Sequence, residues 1–176
     1  MRTLTSLLTL GLAALLAWRL PLAVLPAAVA FPLAAVLTHI ALMRWALVWL
    51  ELRPPPLEHA WYAVRPWEAP LYRRLGVVGY RNLLRRVGWE RFRRDALGFG
   101  GTRSSLGTYE RATRRAEYSH LLLAAAGFGA VLIALGLRAW AAAGWLLGTT
   151  LFFQVYPVLL QRLLRGRVQK LRRSPW

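Results

Sequence analysis

Glu117 and His120 stand three positions apart in the run Arg114-Arg115-Ala116-Glu117-Tyr118-Ser119-His120, a spacing that puts both side chains on one face of a helix. A carboxylate beside an imidazole is the smallest arrangement that makes a general base. The carboxylate holds the ring and raises its basicity, and the other ring nitrogen takes a proton. The same two residues would also be explained by a glutamate paired with a neighbouring arginine and an interfacial histidine without chemical work. Position favours chemistry, because ionisable groups at the edge of a membrane span serve function more often than surface ones. A second polar group follows downstream, where Gln154, Gln161 and Arg165 fall on one helical stripe inside an apolar stretch. Buried polar side chains of this kind need partners inside a bundle. Gln161 and Arg162 are expected at about the depth of His120, framing a polar pocket that opens to the cytoplasm. Glutamines that bind helices together and arginines that snorkel to headgroups would account for the same residues without a substrate.

The remaining candidates are weaker. His39 lies inside an apolar stretch and reads as a helix-packing residue, and no His/Asp/Glu spacing suits a metal. The chain has no cysteine, which excludes disulfides, thiolate zinc sites and a cysteine nucleophile. The glycine-rich stretch from Gly98 to Thr108 matches neither nucleotide-binding fingerprint and reads as a turn. None of His39, His59 and His120 has an aspartate five positions on, so the His-x4-Asp arrangement of glycerolipid acyltransferases is missing.

The elements that must hold these residues are membrane helices. The chain has 176 residues, 57% of them hydrophobic, with a net charge of +17. Four apolar stretches, residues 3–18, 27–50, 119–137 and 140–163, approach the roughly 20 residues a helix needs to cross the hydrocarbon. The first ends at Arg19 and Pro21 and reads as a retained span in preference to a cleaved signal. Fourteen arginines fall between Glu51 and Glu117 and six basic residues in the tail from Arg162, against one each near Arg19 and Arg138. The positive-inside rule then puts both termini and the central segment 51–117 on the cytoplasmic side of the cell membrane. All seven carboxylates also lie between Glu51 and Glu117. Pro54-Pro55-Pro56 ends the second span's extension. A helix is predicted over about Pro70 to Val87, with Tyr72, Gly76, Tyr80, Leu83 and Val87 on one side and Arg74, Arg81 and Arg85 on the other, the pattern of a helix lying in the interface plane. The fold expected is all-α: a single polytopic domain of about four transmembrane helices, an interfacial helical segment between the second and third, and a basic tail over 164–176. Because the arginines sit between spans, their expected partner is a bilayer with anionic headgroups and not nucleic acid.

Three segments together, Trp61-Tyr62-Ala63-Val64-Arg65-Pro66-Trp67-Glu68, Arg115-Ala116-Glu117-Tyr118-Ser119-His120 and Tyr156-Pro157-Val158-Leu159-Leu160-Gln161-Arg162 with Arg165 and Arg167, resemble the glycosyl-4,4'-diaponeurosporenoate acyltransferase family over roughly Glu58 to Arg167. The resemblance implies a small membrane enzyme of carotenoid biosynthesis, finishing staphyloxanthin-type pigments by esterifying a sugar hydroxyl of a carotenoid glycoside with a fatty acyl group. It carries the reaction class. On that reading His120 is the base and Glu117 orients it. Arg65, Trp67, Arg115, Gln161, Arg162 and Arg165 bind substrate or stabilise the developing oxyanion. No bound cofactor is implied. The acyl donor, a thioester of coenzyme A or of a carrier protein, is a co-substrate, and carotenoid-pathway enzymes are the expected neighbours. The other readings are a small lipid or isoprenoid methyltransferase, faintly suggested by Val64-Arg65-Pro66 and Tyr72, and a non-catalytic scaffold docked on anionic lipid.

Overall fold

The computed structural model describes residues 27–89 and 102–173. Every regular element among them is helical: α1 (Ala27–Leu52), α2 (Glu68–Arg74), α3 (Val77–Arg86), α4 (Leu106–Gly136), α5 (Trp140–Thr150) and α6 (Tyr156–Arg173), with a π turn (Leu151–Val155) leading into α6. Three helical stretches are long and apolar enough to cross a membrane: Pro32–Leu52, Arg103–Gly136 and Trp140–Arg172. The four expected spans therefore become three among the described residues. The apolar stretch 3–18 lies outside them, as do residues 98–101 of the glycine-rich stretch. The chain divides into two units, one of Met1–Pro55 with Ser119–Val155 and one of Pro56–Tyr118 with Tyr156–Trp176.

In the first unit the small residues face inward. Ala30, Ala34, Ala35 and Ala46 of α1 are buried while Leu33, Leu37, Ile40, Leu47 and Trp49 are exposed, the distribution of helices that pack through small side chains and turn large apolar ones to hydrocarbon. The same holds on α4, where Leu132 and Ile133 are two-thirds exposed and Val131 and Ala134 pack on Ala143 of α5. Gly127 lets α5 approach closely, since a Cβ built there would overlap Thr150 Oγ1. α4 ends when Arg138 takes a left-handed conformation, φ 56°. The amides of Arg138 and Ala139 then close on the carbonyls of Leu135 and Ala134, so a helix stop usually given to glycine is made here by arginine.

The second unit opens after the prolines with a 3-10 turn, Ala60–Tyr62, capped by His59 Nδ1, which accepts from the Trp61 amide at 3.1 Å. The helix expected over Pro70 to Val87 is broken in two. Gly76 sits at φ 77°, in the left-handed region that glycine enters without steric cost, and separates α2 from α3. Tyr72, Val77 and Tyr80 then pack with Leu160 and Leu163 of α6, whereas Leu83 and Val87 are exposed and leave the apolar face that the period assigned to them. The Tyr156 hydroxyl donates to the Leu75 carbonyl at 3.0 Å, meeting one of the acceptors a helix end leaves open.

Candidate functional site

In the second unit an acidic stripe of α4 faces a basic stripe of α6. Glu110, Thr113, Arg114 and Glu117 recur at helical spacing, as do Arg162, Arg165, Gln169 and Arg172, so each set lies along one side of its helix. Glu117 accepts from Arg162 Nη1 at 2.8 Å on one oxygen and from Arg165 Nη2 on the other. Arg162 also forks onto Glu68, its Nε 2.7 Å and its Nη2 2.8 Å from the two carboxylate oxygens, the bidentate geometry a guanidinium is shaped for. Glu68 accepts in addition from the Arg65 amide at 2.9 Å and the Tyr72 hydroxyl at 2.7 Å. Two carboxylates and two guanidiniums thus form one neutral cluster, with Glu68, Glu117 and Arg165 at most 2% exposed. Burial opposes ionisation of Glu68, but the bonds from Arg162, the Arg65 amide and Tyr72 outweigh it and hold the carboxyl at about 2. Burial and the bond to Glu68 push the Tyr72 phenol up to about 12, so it remains a donor at any physiological pH.

Two buried side-chain atoms of α6 are left over. Gln161 Oε1 and Arg165 Nη1 have no hydrogen-bond partner among the described residues, one an acceptor and the other a donor, on positions one helical turn apart. Further along the stripes, Glu110 accepts from Arg114 at 2.7 Å, Gln169 at 3.0 Å and Arg172 at 2.6 Å. These residues, with Glu58 and His59, line an open groove of about 460 Å³.

The first unit carries a different cluster. His120 Nδ1 lies 2.9 Å from Gln154 Oε1, Gln154 Nε2 lies 3.1 Å from His39 Nδ1, and His39 Nε2 lies 3.2 Å from Thr149 Oγ1. Gln154 is fully buried and His39 nearly so. The Phe153 ring stacks on that of His39 with centroids 5.7 Å apart.

Glu117 belongs to the cluster of the second unit and His120 to that of the first. Glu117 goes to two arginines, and His120 Nδ1 goes to a glutamine. Gln161 is buried at 3% exposure. Arg162 and Arg165, expected to meet an anionic substrate, have their charges matched internally by Glu68 and Glu117. Arg65 and Trp67 are exposed and Arg115 is half-buried. Glu68, Glu110 and Thr149 were not read as site residues from the sequence, and neither the bond of Tyr72 to Glu68 nor that of His39 to Gln154 was foreseen. The one available signal was that so few carboxylates among so many arginines must be heavily contested.

Residues 58–174 match the family profile of the glycosyl-4,4'-diaponeurosporenoate acyltransferases. No curated protein and no solved structure gives a match. The match spans more than half of the chain, which belongs to this family.

Proposed function

We propose that this member of the acyltransferase family esterifies a sugar hydroxyl of a carotenoid glycoside with a fatty acyl group, and that His120 is the base for the step. Family membership over 58–174 is the observation that carries the reaction class. His120 takes the proton of the sugar hydroxyl as its oxygen adds to the acyl carbonyl of a thioester. The adduct collapses with breakage of the carbon–sulfur bond, and the proton leaves with the thiolate. A covalent acyl-enzyme has no support in the sequence, which holds no cysteine and no Gly-x-Ser-x-Gly elbow.

The other assignments follow from what each side chain has left to offer. Exposed Arg65 and half-buried Arg115 suit the anionic part of a coenzyme A or carrier-protein donor, and Trp67, 56% exposed, offers a flat apolar face. Gln161 Oε1 and Arg165 Nη1 suit a hydroxyl, which donates to an amide oxygen and accepts from a guanidinium. The charge-matched pairs of Arg162 and Arg165 with Glu68 and Glu117 are given a structural task. Apolar helices take the polyene and the acyl chain. The arginine distribution supports a multi-pass protein of the cell membrane with the segment 51–117 and both termini cytoplasmic, against anionic lipid headgroups.

Expression in a host that accumulates a carotenoid glucoside, followed by mass analysis of the pigments, tests this reading. The expected product is heavier by one acyl group and disappears with His120→Ala at equal membrane content. Inserted wild-type protein that yields no heavier pigment removes it.

A further inference from the structure

The hydrogen-bonded run through Thr149, His39, Gln154 and His120 has a direction, which can be read from its far end. Thr149 Oγ1 lies 2.7 Å from the Trp145 carbonyl and 3.2 Å from that of Leu146. A threonine hydroxyl has one hydrogen, and these carbonyls can only accept it. His39 Nε2, 3.2 Å from the same oxygen, must then be the donor of that bond. In a neutral imidazole the second nitrogen is the acceptor, so His39 Nδ1 takes the hydrogen of Gln154 Nε2. The amide is thereby oriented, and its oxygen is turned to His120 Nδ1. An oxygen that only accepts requires a proton on that nitrogen, and the lone pair of the His120 ring falls on Nε2.

We propose that Thr149, His39 and Gln154 are positioning residues that lock His120 in its Nδ1–H tautomer and make Nε2 the atom that receives the hydroxyl proton. This rests on His120 being the base. The design suits its surroundings. A carboxylate in this place would put an ion among apolar helices and favour an imidazolium, whereas an amide orients the ring and leaves it neutral, as a base must be. The π turn Leu151–Val155 contains Gln154 and gives it no exposed surface, and such turns recur where a helix serves a site. Phe153 stacked on His39 fixes the plane of that ring.

The test is NMR of isotope-labelled histidine ring nitrogens in the full-length protein, reconstituted in lipid nanodiscs near neutral pH. The chain's three histidines are assigned by replacing them one at a time. The expected spectrum has His120 as the neutral Nδ1–H form and His39 as the neutral Nε2–H form. His120 found as the Nε2–H form, or as imidazolium, overturns the proposal. Gln154→Leu should abolish the Nδ1–H signature and lower kcat about tenfold or more with little change in KM. Gln154→Glu keeps an acceptor toward His120 but makes it a carboxylate, and should turn the signature into that of the imidazolium without recovering the rate near neutral pH. A leucine variant that keeps both the signature and the rate overturns the proposal, and if that variant fails to fold the wild-type spectrum still decides. Undiminished ester formation by His120→Ala would overturn the base assignment instead, and the two failures are told apart because the spectrum does not depend on turnover.

Discussion

A carboxylate without exposed surface keeps its charge only where donors meet both oxygens, and at Glu117 those donors are Arg162 and Arg165. Removing it leaves the buried Arg165 charge uncompensated. Glu117→Ala should therefore cost about 3–5 kcal/mol, measured as lost thermal stability of the purified protein. The double variant with Arg165→Met should cost less than the two single changes added. A Glu117→Ala protein as stable as wild type would contradict the structural task given to this residue. Glu68 supplies a pH test. Its carboxyl is held at about 2 against an ordinary 4.5, so the unfolded chain binds the proton more readily. Its contribution is complete above about pH 5 and is lost as pH falls through the folded value. Thermal stability should fall across that window, and Glu68→Gln should start lower and fall less. At this scale the sequence displayed the reactive types but not their partners. Glu117 and His120 were visible through local spacing, whereas the Arg162 to Glu68 fork closes across 94 positions and leaves no periodic trace. Burial of Gln154, Gln161 and Arg165 was legible from their apolar flanks, because a polar residue on such a stripe has nowhere else to go.

Among the elements, apolar length was the most readable property, since a span must match the hydrocarbon whatever its neighbours do. The stretches 27–50, 119–137 and 140–163 reappear in α1, in α4 and in α5 running through the π turn into α6. Their ends were not readable: α4 begins at Leu106 and α6 runs to Arg173, because ion pairs between the two helices support turns too polar to be recognised as span. The π turn has no sequence signature at all. The break at Gly76 was missed for a different reason, in that its neighbours continue a helical period on either side. Gly76→Ala meets no steric neighbour, so its cost should be the left-handed backbone alone, roughly 1–2 kcal/mol. Gly127→Val should cost about 1–3 kcal/mol by forcing Thr150 aside. Thermal melts of the two variants check both values, and a neutral Gly127→Val would contradict the close approach of α4 and α5.

For the molecule as a whole, apolar length fits a membrane protein, and the arginine distribution carries the orientation proposed above. Orientation can be checked directly because the chain has no cysteine, so a single introduced thiol reports alone. Leu137→Cys should react with a membrane-impermeant maleimide in intact cells, and Arg86→Cys should react only after permeabilisation. The opposite labelling would invert the orientation proposed above. The central claim, that His120 is the base of an acyl transfer, is met most directly by one rate comparison. Full-length wild type and His120→Ala are reconstituted in the same lipid, supplied with a carotenoid glucoside and an acyl thioester, and the ester is quantified by mass. The account predicts ester from the wild type and a loss of about a hundredfold or more in the variant; equal rates from the two proteins would contradict it.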